Sequence, residues 1–344
     1  MPTAYEFGLD TFGDVTVDDN GRPTSGAQTL RDVVDQAVLA DTVGVDVIGI
    51  GEHHRDDYAV SAPEVVLGAI AARTERIRLA SAVTVLSSDD PIRVFERFST
   101  LDALSSGRAE VILGRGSFTE SFPLFGYDLA DYEELFSDKL DLFTKLRTGK
   151  PVTWSGSTRP PLTDQRVFPE LARTPLPAWI AVGGSPESVV RAANYGLPLM
   201  LAIIGGDPRR FVPYADLYRR ACTELKQPEL PIGVHSPGHI ADTDEQARDE
   251  LWLHYRDYVS RIGRERGWPP PTRIEFDRST GPSGSLYVGS PDTVATKIAS
   301  TIQTLGLTRF TLKYSHGTLP HPPLMHSVEL YGTQVIPRVR ELLG

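Results

Sequence analysis

Short apolar runs alternate along this chain with longer segments whose apolar residues recur at helical spacing. Strands are predicted at residues 5–9, 47–50, 77–85, 108–113, 179–182, 197–203, 231–240 and 309–313. Helices are predicted between them. The first covers about 27–43, with Val33, Ala37, Leu39 and Ala40 on one face and Gly44 closing it. Others start at Pro63, Pro91 and Pro186, where a missing N–H costs nothing, or cover 131–146, 209–225, 244–261, 291–305 and 324–342. Many of the strands are apolar without alternation, which predicts a parallel sheet covered by helices. Eight such units favour a single α/β domain over residues 1–344, a closed (β/α)8 barrel, with an open doubly wound sheet as the rival.

Two stretches break the rhythm and predict insertions after strands four and seven. Residues 117–178 hold a helix and a proline-rich, hairpin-like piece at 152–177. Residues 267–289 are rich in Pro, Gly and Ser and too long for an ordinary connection. At the strand C-terminal face such segments serve as lids or substrate walls, so 267–289 is expected to be a lid loop.

Composition narrows the class. Of 344 residues, 40% are hydrophobic and 23% charged, and the net charge is −10. That balance, with scattered basic residues, argues against a nucleic-acid or membrane-surface binder. No run of 18 apolar residues and no secretory leader is visible, and Cys222 is the lone cysteine. A cytoplasmic protein without disulfides is expected.

Three segments carry candidate chemistry, each at a predicted strand end. Glu52-His53-His54 follows strand two, where an imidazole exchanges a proton near neutral pH. Neighbouring histidines at a strand end diverge, so a shared metal is disfavoured; histidines satisfied by backbone partners are the structural alternative. Gly114-Arg115-Gly116-Ser117 follows strand four, and a guanidinium between glycines suits a phosphate, although such a pair is also common in surface turns. Gly183-Gly184-Ser185-Pro186 opens a helix after strand five, either as an anion site or as an ordinary turn capped by Ser185. Tyr314-Ser315-His316-Gly317 lies near the same rim, while His321 and His326 are expected outside it. Asp56-Asp57 and Asp89-Asp90 read as exposed loop charge. There is no G-x-G-x-x-G and no Walker lysine.

Together and in this order, these segments resemble the bacterial-luciferase-like, FMN-dependent monooxygenases over nearly the whole chain. Glu52-His53-His54 is similar to the family's acidic-His-His segment, whose first histidine is catalytic. Residues 80–86, ending at Pro91-Ile92-Arg93, resemble its third strand, whose non-proline cis peptide behind the flavin ring maps to Ala82–Val83. Residues 102–125 resemble the segment whose arginine, here Arg115, contacts the flavin phosphate. Gly183-Gly184-Ser185, followed by 192–198, resembles the fifth-strand phosphate turn. Gly184 and Gly114 depart from luciferase itself, where an acidic residue and a reactive cysteine stand, so light emission is not expected.

The resemblance implies reduced FMN as cofactor and O2 as co-substrate, with one oxygen atom passing to a small organic substrate and His53 acting on the reacting oxygen. It implies a separate flavin reductase as functional partner, no bound metal, and a homodimer through 61–73 and 93–104, where Ala69, Ala71, Ala72 and Ala103 allow close packing. Three rivals stay open: deazaflavin-dependent hydride transfer, a flavin-binding protein without turnover, and a metal-dependent hydrolase barrel.

Overall fold

The computed structural model describes residues 5–18, 20–116 and 118–344, so Ser117 lies outside the described residues. Eight parallel strands form the barrel: β1 (Glu6–Thr11), β2 (Val47–Ile50), β3 (Arg78–Ser81), β4 (Ala109–Gly114), β5 (Ala178–Val182), β6 (Leu199–Ala202), β7 (Ile232–Ile240) and β8 (Arg309–Lys313). Each pairs with the next, and β8 closes on β1 with Glu6 opposite Arg309. The rival open sheet is thereby excluded.

Helices α1 (Gly26–Thr42), α2 (Pro63–Ala71), α3 (Pro91–Leu104), α4 (Ser121–Phe125), α5 (Tyr132–Leu146), α6 (Pro186–Asn194), α7 (Val212–Glu224), α8 (Asp244–Arg266), α9 (Arg273–Thr280), α10 (Pro291–Leu305), α11 (His321–Leu330) and α12 (Ile336–Leu343) surround or extend the barrel. Their starts follow local chemistry. Asp90 accepts from the N–H groups of Ile92 and Arg93 ahead of Pro91, and Ser25 accepts from Gln28. Outward strand residues such as Phe7, Leu9 and Phe310 meet helix residues such as Ala37, Ala40 and Ile298 in the main core. Inside the barrel lies a second, smaller cluster of Val47, Ala80, Ile112, Trp179 and Met200.

The floor of the barrel is ionic. Buried Arg309 donates to Glu6 at 2.7 Å and to both oxygens of Glu110, and its guanidinium stacks 4.2 Å over the Trp179 ring. Arg78 adds a contact to Glu6 at 2.6 Å. Burial works against the Arg309 charge, but the two carboxylates outweigh it and raise its pKa.

Four sequence readings need correction. The strand expected at 77–85 stops at Ser81, passes through the cis Ala82–Val83 peptide, and resumes only as Thr84–Val85. The helix expected at 324–342 begins at His321 and carries a π turn at Tyr331–Val335. Residues 267–289 are not a loop throughout: they contain α9 and a strand, Tyr287–Gly289, that pairs with β7. Of the acidic pairs, Asp56 is exposed as expected, but the other three are engaged: Asp57 meets Arg55 and Arg261, Asp89 meets Arg97, and Asp90 caps α3. Residues 61–73 and 93–104 pack together as α2 and α3 and leave Val65 and Leu104 about 70% exposed. No helix among the described residues is long and apolar enough to cross a membrane.

Candidate active site

A cavity of about 540 Å3 opens at the C-terminal ends of the strands and reaches down to Arg309. Glu52, His53 and His54 enter it from the end of β2. The His53 backbone N–H donates to Val60, which fixes the turn. Its ring stacks on Tyr58 at 4.4 Å and meets the edges or faces of Phe12 at 4.8 Å and Phe118 at 5.0 Å. Nδ1 lies 3.6 Å from Glu120. Burial pushes the Glu120 carboxyl up, but His53 and backbone N–H groups hold it below the usual range. His54 is committed differently: its Nε2 bonds Glu52 at 2.8 Å, while the other oxygen of Glu52 accepts from the Val85 N–H. Of the two rings, His53 is the one whose nitrogens are free of a tight protein partner.

The cis Ala82–Val83 peptide lines the cavity beside them. Its close seat requires glycine on both sides. A Cβ at Gly51 would fall 2.2 Å from Phe12 and 2.7 Å from the Ala82 carbonyl, and one at Gly114 would fall 2.5 Å from Val83.

Beyond this wall the site becomes cationic. Arg115 and Arg191 both donate to Glu133, and Arg115 also lies over the Tyr132 ring. Nη1 of Arg191 and Oγ of Ser188 are buried with no hydrogen-bond partner among the described residues. Gly183 borders the cavity with open space where a side chain would be. Two guanidiniums sharing one half-exposed carboxylate, with unpaired donors beside them, suit a phosphate. Ser185 instead caps α6, accepting from Ser188 N–H and donating to Glu187. Gly184 and Ser185 border the cradle without lining the cavity.

A sequence profile of the family described as luciferase-like monooxygenase matches residues 11–309. The chain belongs to the luciferase-like monooxygenase family. It is 31% identical over 258 residues to 4-hydroxyprotoasukamycin monooxygenase of Streptomyces nodosus subsp. asukaensis, covering 69% of this chain and 67% of that one. The oxygenating constituent of 3,6-diketocamphane monooxygenase from Pseudomonas putida, solved in complex with FMN, shares the fold with a TM-score of 0.78. That match has 20% identity over 97% of this chain and 98% of that one. The family also includes a different type of oxidoreductase. The F420-dependent glucose-6-phosphate dehydrogenase of Amycolatopsis mediterranei is 28% identical over 250 residues, 70% of each chain.

In this luciferase-like chain the cavity walls differ from those expected. Residues 117–178 contribute only their first part, including Phe118, Glu120 and Tyr132; the hairpin Val152–Trp154 with Leu162–Gln165 lies elsewhere, its Trp154 bonded to Asp141. Residues 267–289 contribute Trp268 and Leu286. The larger wall is α8, through Tyr255, Tyr258, Val259, Ile262 and Arg266. Its signal was present in the sequence: Tyr255, Tyr258, Val259 and Ile262, at i, i+3, i+4 and i+7, continue the apolar face begun by core-facing Ala247 and Leu251. His316 is buried, lines the cavity, and is held neutral: burial and nearby Lys313 depress its pKa to about 3. His321 and His326 do not line the cavity.

The Glu52–His54 pair makes a prediction about pH. The hydrogen bond that Glu52 accepts from His54 raises the His54 pKa above its ordinary value, with burial opposing. A raised folded-state pKa gives stability that is complete below about pH 6.5, the unfolded value, and is lost as pH rises through the folded one. The urea midpoint of wild type should therefore exceed that of His54→Gln most below pH 6.5, with the gap narrowing above it. A gap independent of pH would show that His54 has the same pKa in the folded and unfolded chain.

Proposed function

We propose that this chain is a flavin-dependent monooxygenase that uses reduced FMN and O2 to oxygenate a small, largely apolar substrate. The observation that carries the reading is one continuous cavity: Arg115, Gly183 and Ser188, with Arg191 beside them at Glu133, border the same space as the Ala82–Val83 wall and the apolar chamber faced by His53. When bound, reduced FMN supplies the two electrons that let O2 give one atom to substrate and leave the other as water. Arg115, Arg191, Ser188 and the Gly183 backbone hold the phosphate. The Ala82–Val83 segment, with no polar side chain, offers a flat wall to the ring. His53 holds or moves a proton at Nε2, its other nitrogen turned to Glu120. Phe12, Phe118, Ile262 and Trp268 exclude water from the reacting atoms.

The test is anaerobic titration with reduced FMN. Arg115→Ala should weaken binding about 10-fold or more, the loss of a charge-assisted contact to phosphate. Unchanged affinity would move the phosphate elsewhere. A second reading, hydride transfer with a deazaflavin, is favoured by the F420-dependent relative. It takes over if the deazaflavin binds and neither redox state of FMN does.

A separate reductase supplies the reduced flavin in this reading, so the chain with FMN alone should not oxidise NADH. We also propose a homodimer through α2 and α3, whose outer faces carry exposed Val65 and Leu104. Sedimentation at micromolar concentration should find two copies, and a monomer would sink this part.

A further inference from the structure

One more imidazole of the cavity wall, His235, plays no part in the account above. His235 on β7 takes Asp10 on β1 as its partner, with Nδ1 and Oδ2 2.6 Å apart. These strands are not neighbours: β8 runs between them, and its Thr311 is in register with His235, so the bond crosses the inner face of β8. Asp10 is 1% exposed, and its second oxygen is buried with no protein partner. A carboxylate at Nδ1 fixes the ring and makes that nitrogen the donor. Nε2 is then left on the side of the cavity, with no hydrogen-bond partner among the described residues. Around the pair the wall is made of small residues, Gly49, Ala181 and Ala202, which leave room against the ring. A pair kept only to tie strands together has no need of an open nitrogen toward a chamber, and an apolar pair of similar size would serve stability as well.

Phe12 stands between the two imidazoles, edge-on to His53 and stacked 6.2 Å from His235. We propose that His235, aligned by Asp10, is a second substrate-facing group, which hydrogen-bonds the one polar atom of an otherwise apolar substrate across Phe12 from His53. The inference rests on the reading of this cavity as the place where substrate meets flavin. In it, His235 anchors the polar end and leaves an apolar part of the molecule toward His53. Asp10 is a positioning residue that acts through the ring.

The probes are 2-octanone, with one accepting oxygen, and octane, with none. Binding is followed by tryptophan fluorescence, since Trp268 lines the cavity, and by the 15N shift of the His235 imidazole. The ratio of 2-octanone to octane affinity should be about 10-fold higher in wild type than in His235→Phe, the worth of one good hydrogen bond. The ketone should move the His235 15N signal and octane should not. Asp10→Asn should lower the same ratio with octane affinity unchanged. Both variants should keep wild-type affinity for FMN, because the phosphate cradle lies elsewhere. A wild-type chain that binds no FMN speaks against the flavin reading, while the ketone preference still judges His235. Binding of neither probe by wild type, or an affinity ratio unchanged in His235→Phe, overturns the proposal. Should His235→Phe fail to fold, the wild-type 15N response to ketone over alkane decides it alone.

Discussion

Replacing His53 with alanine is expected to lower kcat/KM by about 10²- to 10⁴-fold, the range for loss of a positioned proton-handling group. Affinity for FMN should change little. The two effects separate because the structure separates the groups: the cradle lies at Arg115 and Arg191, while the His53 ring touches Phe12, Tyr58 and Phe118. Folding should survive, since the backbone bond from His53 to Val60 does not involve the ring. The assay couples the enzyme to a flavin reductase and records product and hydrogen peroxide together on the first substrate found to turn over. Loss of product with continued peroxide release is the expected pattern. His53→Gln, which keeps a hydrogen-bonding side chain, should fall between. A loss below about 10-fold would remove His53 from the chemistry and leave it a packing residue like its neighbour Tyr58.

The second large effect is on stability and belongs to the other end of the barrel. Arg309→Met should cost about 3–5 kcal/mol, because it leaves buried Glu110 with no counter-charge nearer than Arg78 at 3.9 Å, whereas Glu6 keeps its Arg78 contact. Glu110 is 2% exposed, so water cannot replace the guanidinium. Urea unfolding measures the loss as a fall in midpoint at constant slope. Adding Glu110→Gln to Arg309→Met should recover part of it, which distinguishes an unpaired charge from lost packing on Trp179. A cost below about 1 kcal/mol would mean that Glu110 takes up a proton when its partner is gone.

How much of this was legible in the sequence depended on whether burial and polarity agreed. Strands 47–50 and 309–313 and the helix 291–305 appeared as expected, since Pro291 opens that helix and Gly306, at φ 61°, ends it. The first strand runs on to Thr11 because Asp10 and Thr11 are buried polar residues that find partners in His235 and Ser315. Hydropathy treats such residues as solvent-facing and ends the strand early. The same blindness hid the Asp10–His235 pair, whose members are 225 positions apart. Glu52-His53-His54 and Arg115 were legible as strand-end motifs. Arg191 and Ser188 were not, because on an amphipathic helix an arginine reads as a solvated face until the fold brings Glu133 beside it.

The ionic floor has a consequence for how such a chain can change. Arg309, Glu6, Glu110 and Arg78 join β1, β3, β4 and β8 at the end of the barrel remote from the strand-end site. The inner layer above them can then consist of residues as small as Gly49, Ala80, Ala181 and Ala202 without the strands losing their mutual anchorage. Ballast and cargo are stowed at opposite ends of the hull. A lineage can enlarge, narrow or re-line the upper hold one residue at a time, and each trial is spared the penalty of weakening the keel.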